Sequence, residues 1–106
     1  MNWKRPKDEG EAIVLAIRDP LRRRLLAAIA EGEASPKQLE ARFGETLQVV
    51  AYHVRALAFY EVIDLSETRR VRGSTQHFYV VNDLGLRALV LAKQTGMLDG
   101  KGDKSR

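Results

Sequence analysis

Two helical segments near the middle of the chain are separated by a very short connection. The first spans residues 35–44, with Ser35 as its cap, a proline next to the cap and Gly44 at its end. Gln38 lies three residues after the cap, as in a capping box. The second segment is predicted at about 47–59, so only two residues separate it from the glycine. A short helix, a tight turn and a second helix predict a helix-turn-helix.

The rest of the chain supplies further helices and a hairpin. The other expected elements are helices at 11–17, 19–32 and 83–93, and strands at 62–71 and 76–81 joined by a turn at 72–75. This order predicts a mainly α fold with a small β-hairpin, a winged helix-turn-helix, within residues 9–95. We expect residues 1–8, which are basic, and residues 96–106 to be flexible tails.

The composition limits the chemistry that the chain can perform. It has 106 residues, which is the size of one domain, and a net charge of +4, which favours an anionic partner. The absence of cysteine excludes disulfides and thiolate chemistry. The sequence has no apolar run of membrane-spanning length, no glycine-rich phosphate loop and no metal-ligand cluster. Its first residues lack the apolar stretch that is expected of a signal peptide. We therefore expect a cytoplasmic protein that is not an enzyme and needs no cofactor.

The segment 47–59 has two different faces when it is projected at 100° per residue. The predicted core face consists of Leu47, Val50, Val54, Leu57 and Ala58. The opposite face consists of Gln48, Tyr52 and Arg55, with Val49 and Ala56 beside it and His53 on the flank. Glutamine and arginine suit base edges in the major groove, and a valine methyl suits the thymine methyl group. An ordinary amphipathic helix has a similar pattern, but the preceding turn and the following hairpin favour DNA recognition.

The predicted hairpin has a strongly basic tip. Arg69, Arg70 and Arg72 lie there, and no acidic residue occurs between Thr68 and Gln76. Beside a duplex, such a tip would neutralise phosphates or enter the minor groove. A solvated charged turn that protects a sheet edge from aggregation is an equally good interpretation of the tip alone.

These segments resemble the ArsR-type (arsenical-resistance-repressor) family of bacterial winged-helix regulators. The stretch "DPLRRRLLAAIAEGEASPKQLEARFGETLQVVAYHVRALAFYEVIDL" is similar to the family pattern that begins D-P-x-R-x-x-I/L-L. In "AYHVRAL", His53 and Leu57 match the S-x-H-L-x-x-L end of the recognition helix, while Ala51 replaces the serine. The wing "RRVRGSTQHFYVV" is similar to R-x-G-x-x-x-x-Y, with Tyr79 as the aromatic residue. The resemblance covers roughly residues 12–92.

The resemblance implies a DNA-binding surface on the recognition helix, the helix before it and the wing. The expected DNA-contacting residues are Ser35, Lys37, Gln48, Val49, Tyr52, His53, Arg55, Arg69, Arg70, Arg72 and Ser74. For His53 it implies a phosphate contact or a wedge that supports Tyr52, rather than catalysis or metal binding. The cysteine ligands of metal-sensing relatives are absent, and helix 83–93 lacks the histidines of others, so no metal is expected at the known sites.

The first and last helices are apolar on nearly every side. A helix that packs on one side only should be polar on the other, so this pattern predicts a second copy as partner. The resemblance also implies dimerisation through these helices. The expected interface residues are Ile13, Val14, Ile17, Leu86, Leu89 and Val90. Alternatively, the two helices cover one another and the core of a single chain.

Three functions compete at this point. The leading hypothesis is a sequence-specific, dimeric regulator of transcription, a repressor that binds double-stranded DNA. The alternative is a winged-helix protein–protein interaction module, because exposed Tyr52 and Val49 would serve that role equally well. A small enzyme is disfavoured because the chain lacks a recognisable set of catalytic residues.

Overall fold

Five helices and one antiparallel hairpin make up residues 3–98, the part of the chain that the computed structural model describes. In chain order they are α1 (Glu9–Ile17), α2 (Pro20–Glu31), α3 (Pro36–Phe43), α4 (Leu47–Phe59), β1 (Ile63–Val71), β2 (Ser74–Val81) and α5 (Asp83–Gln94). The predicted order of elements is confirmed. Within these residues no helix is both long and apolar enough to cross a membrane.

Local hydrogen bonds at the helix N-termini explain why capping residues in the sequence predict where the helices begin. The Asp19 carboxylate accepts the Arg22 N–H at 2.9 Å. Ser35 and Gln38 form a reciprocal capping box at the start of α3. α3 ends at Gly44, whose φ of 67° is the left-handed conformation that glycine adopts at little cost. The caps and this glycine fix the tight turn that leads into α4.

The hairpin turns over two residues, Arg72 and Gly73. Their φ angles of 52° and 84° are both positive, as in a type I′ turn, which matches the twist of two strands. β2 therefore begins at Ser74, two residues earlier than expected. Ala34 and Tyr79 exchange backbone hydrogen bonds of 3.1 and 2.9 Å, which tie the hairpin to the start of the helix-turn-helix.

The core lies between the five helices and the base of the hairpin. Its most deeply buried side chains are Leu25, Leu26, Ile29, Leu39, Val50, Val54, Leu57, Val62 and Ile63. The first turn of α5 lies directly on this core, because a Cβ atom at Gly85 would be only 2.2 Å from the Val62 carbonyl oxygen. A residue with a side chain does not fit there without moving the backbone.

The burial of α1 and α5 differs from the expectation. Ile13 and Ile17, expected at a dimer interface, are buried in the core of their own chain, and this burial does not fit that role. Leu89 is half-buried against the same core. Val14, Leu86 and Val90 are 50%, 50% and 54% exposed. The core thus accounts for nearly all of the apolar residues on α1, while α5 keeps an exposed apolar stripe.

The chain ends are more closely packed than expected where they can be described. Residues 1–8 were expected to be a flexible tail, but Trp3 packs against Tyr52 of α4 and against the core cluster, and Lys4 and Lys7 contact Glu11 of α1. At the other end Leu98 is half-buried, and the Met97 carbonyl accepts a hydrogen bond from Arg23 Nε at 3.1 Å. Residues 99–106 of the predicted C-terminal tail lie outside the described residues.

Candidate nucleic-acid interface

The solvent-facing side of α4 is rotated relative to the sequence prediction. Leu47, predicted in the core, is 39% exposed, whereas Ala56, predicted outside, is fully buried. Ala58, also assigned to the core, is only half-buried. The reason is that α4 packs against both α2 and α3, so its buried arc is broad and extends towards the side of Ala56. The exposed face consists of Leu47, Gln48, Val49, Tyr52, Arg55 and Phe59.

A groove of about 600 Å³ separates α4 from the wing. Its apolar wall includes Leu47, Ala51 and Tyr79, and its cationic side chains are Lys37 and Arg55. Lys37 lies 3.1 Å from Glu40, and Arg55 has no ion-pair partner within residues 3–98. α4 itself contains no acidic residue. The groove and the adjoining face of α4 therefore form a surface of positive character with an apolar centre.

Tyr52 is exposed but its ring is held on two sides. The ring centroid lies 5.3 Å from that of Trp3 and 5.2 Å from that of His53. Such tilted and edge-on pairs stabilise a defined ring orientation. Trp3 was not among the predicted site residues, because nothing in the local sequence indicates a contact with a helix some fifty positions away.

His53 faces inwards, and its side chain is only 12% exposed. Arg22 Nε donates to its Nδ1 at 3.3 Å, and its Nε2 lies 3.9 Å from the Asp19 carboxylate. Burial lowers the pKa of the imidazole, and Arg22 acts in the same direction against the opposing effect of Asp19. The expected phosphate contact by His53 does not fit this burial, whereas support of Tyr52 does.

Ser35 also has a structural position. It is fully buried, its Oγ accepts the Gln38 N–H and donates to Gln76 Oε1 at 2.7 Å. This side chain joins α3 to the wing and is buried, so the expected contact of Ser35 with DNA does not fit its position. A serine at this position is compatible with a helix cap and with a DNA contact, because both roles use a small hydroxyl group. The sequence alone therefore could not distinguish the two roles.

The three wing arginines have different environments. Arg69 is bound to the carboxylates of Glu33 and Glu67, and its guanidinium lies 3.8 Å from the centroid of the Phe78 ring. Glu67 and Glu33 raise the pKa of Arg69. Its positive charge is already neutralised within the protein, so the expectation that Arg69 contacts DNA does not fit. Glu33 lies 36 positions away, which the local charge pattern could not reveal.

Arg70 and Arg72 remain at the exposed tip of the wing. Arg70 Nη2 donates to the Gly73 carbonyl at 3.1 Å, and Arg72 lies in the turn itself. Ser74 is exposed as well, with its Oγ 3.3 Å from the Val71 carbonyl. Both guanidinium groups can approach a phosphate without breaking an ion pair, since neither has an acidic partner in the described part of the chain.

No three histidine, aspartate or glutamate side chains within residues 3–98 are grouped so that they could hold a metal ion. The histidines lie apart, His53 beside α2 and His77 on the exposed wing.

Comparison with known proteins supports the same fold. Residues 18–64, from the end of α1 to the start of β1, match the helix-turn-helix domain family. A homodimeric winged helix-turn-helix DNA-binding domain from Mycobacterium bovis, a possible ArsR-family transcriptional regulator, superimposes with a TM-score of 0.64. It is 20% identical, over 94% of this chain and 95% of that one. The chain has a winged helix-turn-helix fold.

Two further solved structures are similar to this winged helix-turn-helix chain. A possible transcriptional regulator for arsenical resistance is 20% identical, with a TM-score of 0.58 over 90% of this chain and 98% of that one. An ArsR family transcriptional regulator is 22% identical, with a TM-score of 0.58 over 92% and 93% of the two chains. No curated protein matches the sequence. The comparisons confirm the predicted winged helix-turn-helix and its similarity to ArsR-type proteins.

Proposed function

We propose that this protein is an ArsR-type transcription regulator that binds double-stranded DNA as a homodimer and represses by occupying a promoter. The observation that carries the proposal is the exposed face of α4 beside a basic wing. That face presents Gln48, Tyr52 and Arg55 to solvent, on a helix that contains no acidic residue. A helix of this length fits the major groove, with polar side chains directed at base edges.

Each part of the surface has a separate task in this proposal. Gln48 and Arg55 contact base edges, and Val49 lies at the first turn of α4, where it can meet a thymine methyl group. Arg70 and Arg72 contact phosphates next to the helix, and Lys37 does so from the start of α3. The apolar wall of the groove, with Leu47, packs against sugars and methyl groups.

A second copy of the chain provides the second half of the interface. The exposed stripe of Leu86 and Val90 on α5, together with Val14 on α1, supports an isologous contact between two copies. The similar protein from Mycobacterium bovis is homodimeric. A two-fold dimer would present two α4 helices to successive turns of the major groove.

The proposal is tested by the salt dependence of duplex binding. We expect log affinity for a random duplex to fall linearly with log salt, because bound phosphates release counterions. Replacing Arg70 and Arg72 together with alanine should flatten the slope by about 3.6 for a dimer, at about 0.9 per phosphate contact. Arg69→Ala is the matched control, because its charge is neutralised by Glu33 and Glu67 and its loss should leave the slope unchanged.

An absence of duplex binding at low salt would contradict the proposal. So would a wild-type slope in the Arg70→Ala, Arg72→Ala protein, since the wing would then be a solvated turn. The absence of duplex binding would favour the alternative of a protein–protein interaction module.

A further inference from the structure

Trp3 lies against the outer side of the recognition helix. Its ring centroid is 5.3 Å from that of Tyr52 and 5.7 Å from that of Phe59, and these two residues lie seven positions apart on the exposed face of α4. Its Nε1 is buried and has no hydrogen-bond partner within residues 3–98. The contact is therefore aromatic packing, and it covers the C-terminal half of the surface that we assign to DNA.

The residues that follow Trp3 are anchored to the fold and carry charge. The Lys7 N–H donates to Glu11 Oε1 at 2.6 Å, and Lys4 Nζ lies 3.4 Å from Glu11 Oε2. Arg5 differs from Lys4. Its guanidinium carbon lies 5.9 Å from the Phe59 ring centroid, and it has no ion-pair partner in the described part of the chain. An exposed cation is thus held at the edge of the α4 face.

We propose that residues 3–7, the N-terminal arm, are part of the DNA-binding surface. Trp3 is a positioning residue that fixes the rings of Tyr52 and Phe59, and Arg5 contacts a backbone phosphate beside the C-terminal half of α4. This inference rests on the function proposed above. It extends the interface from the helix and wing to a third segment of the chain.

The physical basis is the conformational freedom of an exposed aromatic side chain. A free tyrosine on a helix surface must be immobilised when it binds, and that ordering lowers the affinity. Packing between Trp3 and Tyr52 fixes the orientation of the Tyr52 ring before DNA binds, so less conformational freedom of this side chain is lost on binding. Arg5 adds an electrostatic term that is independent of base sequence.

Substitution of Trp3 tests the positioning role. We expect Trp3→Ala to weaken binding to a selected site by about 2- to 12-fold, the range that corresponds to the loss of an aromatic pair, and to change random-duplex binding less. Trp3→Phe should retain most of the affinity, because a phenyl ring can still pack on Tyr52. The chain has one tryptophan, so its emission should also shift when duplex is added to the wild-type protein.

Substitution of Arg5 tests the phosphate contact. Arg5→Ala should flatten the log–log salt slope by about 1.8 for a dimer, at about 0.9 per protomer. Arg87→Ala is the control, because it removes the same charge from α5, where Arg87 lies 3.0 Å from Glu9. It should leave the slope unchanged. The salt slope of Arg5→Ala tests whether the N-terminal arm contacts DNA, even if Trp3→Ala lowers the melting midpoint of the protein.

The outcomes separate the arm from the proposed function. If wild-type protein binds duplexes while the Trp3 and Arg5 variants keep its site preference and salt slope, the arm is not part of the interface and only this inference is overturned. Tighter binding by Trp3→Ala would also overturn it, since the arm would then be an obstacle. If the wild-type protein binds no duplex, the proposed function fails and the arm's role fails with it.

Discussion

Arg22 is a charged side chain buried near the joint between α1, α2 and α4. Its Nη1 donates to the Leu15 carbonyl at 2.8 Å, its Nε donates to His53, and its guanidinium lies over the Tyr60 ring. A buried cation is tolerated when its donors are satisfied in this way. Arg22 and His53 together explain why polar residues occur on the inner side of two amphipathic helices.

The lowered pKa of His53 predicts a stability that depends on pH. Because folding lowers the pKa of His53, the unfolded chain binds a proton more readily than the folded protein does. This difference applies at pH values between the pKa of the folded protein and the ordinary value of 6.5. Stability contributed by neutral His53 is therefore complete above pH 6.5 and declines as the pH falls towards the folded pKa. Protonation would also remove the Nδ1 acceptor that Arg22 uses.

We expect the melting midpoint of the wild-type protein to fall between pH 7.5 and pH 5.5 by more than that of His53→Asn, whose amide oxygen can still accept from Arg22. His77→Asn, at the exposed wing histidine, should keep the wild-type pH dependence. Equal declines for wild type and His53→Asn would show that the inner histidine does not control this effect.

At the scale of elements, the sequence predicted the helices and the hairpin because their signals are local. The caps Asp19, Ser35 and Asn82 accept hydrogen bonds from residues three positions later, so each signal and its partner lie within one turn. Gly73 likewise marks the turn on its own. The second strand began too late in the prediction because Ser74 and Thr75 are ordinary turn residues as well as strand residues.

The rotation of α4 could not be predicted from periodicity. Alanine is compatible with either a buried or an exposed position, so Ala56 gave no indication of its side. Leu47 lies in the first turn of α4 and lines the open groove beside the wing. The ion pair of Arg69 with Glu33 and the packing of Trp3 on Tyr52 join distant positions, and only the tertiary structure brings them together.

The junction between α5 and the hairpin predicts a strong effect at Gly85. An added Cβ would lie 2.2 Å from the Val62 carbonyl oxygen and 2.6 Å from a Val81 methyl carbon. We expect Gly85→Ala to lower the free energy of unfolding by about 1–3 kcal/mol or more, because the core must be overpacked or the helix displaced. Urea denaturation of the wild type and the variant measures this difference in the free energy of unfolding.

Gly32→Ala serves as the control, since its backbone is extended and no atom lies within 4 Å of the added carbon. It should change the unfolding free energy little. If both variants were equally stable, the close approach of α5 to the hairpin would be wrong.

At the scale of the whole molecule, the exposed stripe on α5 predicts a dimer that charge can disrupt. Leu86→Glu combined with Val90→Glu should convert a species of twice the 11.9 kDa chain mass into a monomer. Each large apolar side chain removed from water contributes about 1.5–3 kcal/mol, and a buried carboxylate opposes association. Sedimentation equilibrium distinguishes the two masses.

Leu65→Glu is the control for this experiment, because Leu65 is an exposed apolar residue on the wing rather than on α5. It should leave the mass unchanged. A wild-type monomer at micromolar concentration, or a charged α5 variant that remains dimeric, would exclude this surface as the interface.

Selection of bound sites from random duplex DNA tests the central claim most directly. For a two-fold dimer with one α4 in each half-site, we predict an enriched inverted repeat with half-site centres about 10 base pairs apart. Gln48→Ala should relax the preference at one position of each half-site while retaining the others. Failure to enrich any sequence above the starting pool, with wild-type protein that is folded and dimeric, would contradict sequence recognition by α4.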